Sequence, residues 1–238
     1  MSFHARLLSD TAADRAALIA TSIIQACLRG EVSLPSYQAF LTQAFHHVRH
    51  TVPLLRACRE RVLGEPRHAW LAGPLEEYIE EEQGHDEWIL DDLVACGVPR
   101  ESVRDGLPGH ATEVMVACAY DTIARRNPLG FFGMVHVLEG SSVALALVAA
   151  DRIQSQLRLP DSAFSYLRSH GTLDQEHVAH FEMLMDRIED PTDQADIIHG
   201  ARAFYRLYGD VFRSLPLPPS GAMNPAGASH PAGAAVGL

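Results

Sequence analysis

"LEEYIEEEQGHDEWILDDL", residues 75–93, decides how the chain is read. Its apolar residues do not alternate as in a half-buried strand. They recur at helical spacing, so Leu75, Tyr78, Glu82, His85, Ile89 and Leu93 share one face of a helix. A carboxylate and an imidazole therefore stand in the stripe that a helical protein buries. An ionised carboxylate placed there without a partner costs on the order of several kcal/mol. Glu81 also lies about one turn before His85 and is the alternative carboxylate. Glu76, Glu77, Glu80, Glu87 and Asp91 mostly fall outward and read as solvated.

The same periodicity runs outward in both directions. It predicts seven helices, at 11–30, 34–63, 67–97, 109–126, 129–158, 161–188 and 192–214. Gly30, the Ser33–Pro35 pair, "GVP", "RRNPLG" and "LPDS" supply the breaks. Thr172 and Gln175 are spaced as a capping box, which allows a kink at His170–Gly171. After Leu215 the chain turns to Pro, Gly and Ala without a packing pattern. The expectation is an all-α fold with one domain at 1–215 and a disordered tail at 216–238, which discounts His230.

Composition narrows the function classes. Hydrophobic residues are 47% of the 238, enough for a sizeable core. A net charge of -11 repels phosphate backbones, so no nucleic-acid partner is expected. The chain has no lysine, and its 19 basic residues are all arginines, which excludes Schiff-base chemistry. Cys27, Cys58, Cys96 and Cys118 are widely spaced and read as small buried apolar groups of a reduced protein. "MSFHARLLSD" is not a signal peptide, and "SSVALALVAA" is short for a membrane span; a cytoplasmic protein with no membrane contact is expected. There is no Ser-His-Asp order, phosphate-cradling loop or dinucleotide fingerprint.

Two other helices repeat the anomaly. In "FFGMVHVLEGSSVALAL" Val135, Glu139, Val143 and Ala146 align, and Glu139 is the only acid across residues 122–150. In "SHGTLDQEH" His170, Asp174 and His177 fall within an arc of about 60° if the helix is continuous. Phe181 and Leu184 continue that face. Carboxylate-x-x-His thus occurs twice, as Glu82–His85 and Asp174–His177, with Glu139 and His170 in addition. Helical bundles hold two iron or manganese ions with two such pairs plus added carboxylates. Imidazole with carboxylate suits those metals and leaves positions open for dioxygen. Singly, each residue reads as a satisfied core group or a solvated face; three inward clusters on three helices favour a metal site. Among other histidines, His46 and His50 share a face and are candidates for a pocket wall. His136 lies one turn before Glu139, and His180 is peripheral.

On "EEEQGHDEWILDDLVACG", "MVHVLEGSS" and "HGTLDQEH" the chain resembles the heme-oxygenase-like di-metal oxidases and oxygenases. That family shares a seven-helix bundle with the TenA-like thiaminases and the cofactorless oxidase of pyrroloquinoline quinone synthesis. The resemblance covers roughly residues 10–214. It implies two iron ions, with manganese as the alternative, held by Glu82, His85, Glu139, His170, Asp174 and His177. Glu82 and His85 would hold one ion, His170, Asp174 and His177 the other, and Glu139 would bridge. It further implies dioxygen-dependent oxidation of a small organic substrate (an amine, amino acid or fatty acid), with an external electron donor and a homodimer as further expectations. Tyr78, Phe132, His136 and Phe181, with Met134, are the candidate substrate-pocket residues. Residues 119–238 contain no cysteine, against a thiaminase, and residues 11–30 contain no histidine, against heme. The rivals are a non-catalytic small-ligand binder of this fold and a metal-free oxidase.

Overall fold

The computed structural model describes residues 1–217, except for the side chains of residues 170–177. The predicted tail at 216–238 therefore falls almost wholly outside the described residues. Among the described residues every regular element is a helix and there is no strand, so the chain is all-α.

The predicted helices are present but more finely divided. In place of 11–30 stand α1 (Phe3–Asp10), α2 (Ala12–Ile19) and α3 (Ser22–Leu28). The expected start at residue 11 misses α1, whose N-cap is Ser2, its hydroxyl accepting from the Ala5 N–H. In place of 34–63 stand α4 (Leu34–Val48) and α5 (Thr51–Leu63). Pro53 explains the break: it lacks an N–H, and its ring would strike the Arg49 carbonyl of a continuous helix. In place of 67–97 stand α6 (Ala72–Glu81) and α7 (His85–Ala95), separated at Gly84, whose φ is +86°. A short α8 (Arg100–Arg104) precedes α9 (His110–Arg125). The remaining helices are long: α10 (Phe132–Leu157), α11 (Ser165–Asp186) and α12 (Pro191–Ser214). The backbone of α11 is helical through His170 and Gly171, so the helix does not break there.

Two apolar clusters build the interior. One draws Leu54, Leu71, Leu75, Tyr78, Phe132, Ile197 and Phe204 together. The other joins Tyr37, Leu41, Ile89, Leu93, Ala150 and Phe164. Helix α10 serves both, its first half in one and its second half in the other. Its approach to α12 needs glycine: a Cβ on Gly133 would come within 2.2 Å of the Ala201 nitrogen. Asp92, fully buried on α7, fastens the start of α11 by accepting from the backbone N–H groups of Ser165 (2.9 Å) and Tyr166 (3.0 Å).

The apolar run of α10 is longer than "SSVALALVAA" suggested. The segment Pro128–Leu157 reaches a mean hydropathy of 1.7 and, among the described residues, is the helix long and apolar enough to cross a membrane by length and composition. Here it packs against α11 and α12.

Candidate metal centre

A cavity of about 180 Å³ follows α10 through the region where the two apolar clusters meet. Its described wall carries Glu82 and Glu139 but no arginine, and the chain has no lysine. The described ion pairs instead set arginines near the surface, as in Arg59–Glu76 and Arg104–Glu87.

Glu82 follows the last residue of α6, and its N–H still bonds the Tyr78 carbonyl. The left-handed Gly84 then turns the chain so that His85 opens α7. His85 Nδ1 lies 3.0 Å from Glu82 Oε2. When Glu82 is ionised, Nδ1 carries the hydrogen and Nε2 presents the lone pair, the form in which imidazole binds metals. The ring is 3% exposed and stacks on Trp88 with centroids 4.2 Å apart. Glu139 reaches the same cavity from α10. Glu81 ends α6 and is exposed, away from the wall.

Tyr78 lies on the same wall. Burial pushes its phenol far above the ordinary range, the Glu139 and Glu81 charges add to this, and so do hydrogen bonding to Glu139 and the charge of Glu82.

The remaining predicted ligands, His170, Asp174 and His177, have side chains outside the described residues. Their backbone lies on the unbroken α11. On the same stripe, Leu167 is on the cavity wall at one end, and Phe181 and Leu184 are buried at the other. Among the described residues no cluster of three potential ligands closes; of the described predicted ligands, Glu82 and Glu139 line the cavity, while His85 bonds to Glu82 and is not on the described wall.

The pocket candidates divide. Tyr78 and Met134 are on the wall. Phe132, His136 and Phe181 are buried in core packing and absent from the described wall. His136 Nε2 lies 3.4 Å from Thr11 Oγ1 and 3.5 Å from the Tyr205 hydroxyl, and its ring stacks on Phe181. Burial, reinforced by His4 and Arg15, lowers its pKa to about 4. His46 and His50 do not reach the wall either; His50 Nδ1 meets the Tyr120 hydroxyl at 3.1 Å. His47 lines the cavity instead, with its ring edge-on to Tyr208. A signal for it existed, because Ser36, Phe40 and His47 follow a helical stripe on α4 and all line the cavity. His180 packs edge-on to Tyr78 at 5.5 Å.

All four cysteines are free. Burial raises the Cys58 thiol to about 12 and the Cys27 thiol to about 11, so neither is a ready nucleophile. The first helix does contain a histidine, His4, which residues 11–30 did not cover. It is buried, its backbone N–H donates to Asp186 Oδ1 (2.8 Å), and it is not on the described cavity wall.

Comparison with known proteins agrees with this architecture. A domain of unknown function with a heme oxygenase-like fold from Shewanella denitrificans superposes with a TM-score of 0.78 at 20% identity, over 90% of this chain and 91% of that one. A TenA homologue from Pseudomonas syringae pv. tomato gives 0.75 at 13% identity, over 89% and 91%. Heme oxygenase-1 from the cyanobacterium Synechocystis, in complex with heme, gives 0.68 at 13% identity, over 90% and 91%. These likenesses show the fold. No curated protein sequence matches. A family profile described as iron-containing redox enzyme matches residues 38–209, most of the chain. The chain therefore belongs to the iron-containing redox enzyme family and has the heme-oxygenase-like fold.

Proposed function

We propose that this protein is a non-heme iron oxidase or oxygenase that activates dioxygen with two iron ions and acts on a small organic substrate. The observation that carries the reading is the joint presence of Glu82 and Glu139 on one apolar cavity wall, with His85 bonded to Glu82 and no arginine on the described wall. Glu82 and His85 would hold one ion. Glu139 would bridge, and His170, Asp174 and His177 on α11 would complete the second. The donor set suits iron or manganese: hard carboxylate oxygens offset the charge, and imidazoles complete the coordination. Bound iron supplies the redox chemistry with dioxygen. The chain's own part is to fix these side chains and to exclude water with the surrounding apolar wall.

The test is anaerobic loading with ferrous iron, counting bound metal and then following dioxygen consumption. The wild type is expected to retain about two ions per chain, as carboxylate-bridged bundle sites do. Glu139→Gln is expected to lose at least one of them, and dioxygen uptake with it. Stoichiometric heme binding, or no retained metal together with tight binding of a flat heterocycle, would overturn the proposal in favour of a heme protein, a metal-free oxidase or a non-catalytic binder.

A further inference from the structure

The cavity does not stop at the carboxylates. Along α10 the wall positions Glu139, Ser142, Ala146, Ala149 and Ile153 follow one another at steps of three or four residues, a continuous line on one helix face. At the helical rise this line is about 21 Å long. The wall also takes in Ile24 and Cys27 of α3, Tyr37 and Phe40 of α4, and Leu167 of α11. The direction is set by contacts at the far end. Tyr37, in the first turn of α4, bonds the Ala163 carbonyl just before α11, whereas His47, in the last turn of α4, meets Tyr208.

The chemistry changes along this line. His47 is the basic group of the described wall, and it lies at the opposite end of α4 from Tyr37. In the far part, the polar groups at the α4 start are already committed: the Tyr37 hydroxyl donates to Ala163 O at 2.7 Å and the Ser36 hydroxyl to Pro216 O at 2.7 Å. No described residue of that part of the wall is charged, so among the described residues a second charged group on a ligand would find no counter-charge there. An apolar chain would fit. The alanines at 146 and 149 leave room that a larger side chain would fill, and Ile153 stands at the end of the line.

We infer that the cavity from Ser142 to Ile153 is a tail channel. It takes the linear apolar body of a substrate that has a single polar head at the Glu82–Glu139 end, and Ala146, Ala149 and Ile153 set the tail length it accepts. This rests on the metal-centre reading only for where the head lies. Substrates with a second polar end, such as diamines and zwitterions spanning the channel, are excluded from it.

The metal-free protein provides the test, with neutral linear 1-alkanols from hexan-1-ol to tetradecan-1-ol as probes and calorimetry as readout. Affinity is expected to rise about fourfold per added methylene and then level off once the channel is full. Ala149→Phe should lower the length at which this levelling occurs while leaving hexan-1-ol affinity within about twofold, since the short probe does not reach the added ring. Ile153→Ala should raise that length, which guards against a simple folding defect in the first variant. A terminal diol of matched length should bind more weakly than the alkanol. No dependence on length, or equal weakening of every probe by Ala149→Phe, overturns the channel. Iron uptake is read separately, so a length series without iron binding would sink the metal reading alone, and iron binding without a length series would sink this one alone.

Discussion

His136 shows how burial assigns a histidine its role. Its ring is held between Thr11, Tyr205 and Phe181, and its pKa is lowered to about 4. A folded-state pKa below the unfolded value of about 6.5 means that the unfolded chain takes up the proton first as pH falls. Stability is therefore full above the unfolded pKa and drains away between about pH 6.5 and pH 4. The loss attributable to this one ring by pH 5 is about 2 kcal/mol. His136→Gln should be less stable than wild type at pH 7.5 yet lose about 2 kcal/mol less on going to pH 5, by urea unfolding at both values. An unchanged pH dependence would show that the ring is not the group titrating. The same residue marks a limit of sequence reading. His136 and Glu139 are one turn apart, and spacing suggested a shared pocket. Which side of α10 faces the cavity depends on where α11 and α12 lie, and that is not encoded in the spacing. Glu82 and His85 were legible because a polar residue in an apolar stripe is anomalous in any packing. His47 was not, because the neighbouring His46–His50 pair at i, i+4 offered a more regular pattern on a different face.

Elements were legible where they are long and uniform. The predicted 109–126 and 192–214 agree closely with α9 and α12. They failed at breaks that one residue imposes, such as Pro53 between α4 and α5 and Gly84 between α6 and α7. Gly84 matters most for the site, because the left-handed turn lets Glu82 close the first helix and His85 open the next with their side chains bonded. A Cβ at Gly84 meets nothing within 4 Å, so the cost of alanine there is conformational. Gly73, in the first turn of α6, also has open space around it, but its φ is not positive. The two glycines should thus respond with opposite signs. Gly84→Ala should destabilise by about 1–2 kcal/mol through the left-handed penalty. Gly73→Ala should stabilise by about 0.5 kcal/mol through helix propensity and reduced unfolded-state entropy. Denaturant midpoints at constant slope give both values. If Gly84→Ala were neutral, the α6–α7 turn would not need its positive φ, and the placement of His85 would have another cause.

At the scale of the whole molecule, the chain of net charge -11 carries most of its acids on the surface and sets Glu82 and Glu139 on the wall of an apolar cavity. Like charges facing one low-dielectric cavity repel, and each loses hydration. On the proposed reading, fold stability and the metal centre are in opposition until a cation binds. Glu139→Gln removes one of those charges and nearly preserves shape. Without metal, the variant is expected to be more stable than wild type, by about 1 kcal/mol, or roughly 2–4 °C for a chain of this size. Ferrous iron at a hundredfold excess over its dissociation constant should stabilise the wild type by about 2.7 kcal/mol, because metal binds the assembled site and not the unfolded chain. The variant should gain only a fraction of that, so the order of the two melting temperatures reverses as iron is added. The reversal matters because each half alone has another explanation. A stabilising substitution could merely relieve surface repulsion, and an iron-dependent shift could come from adventitious ligation. Only a carboxylate that is costly in the empty fold and indispensable in the loaded one produces the crossing. Parallel shifts of both proteins with iron would place the metal elsewhere, and a destabilised metal-free variant would make Glu139 a structural hydrogen-bonding partner of Tyr78 rather than a ligand.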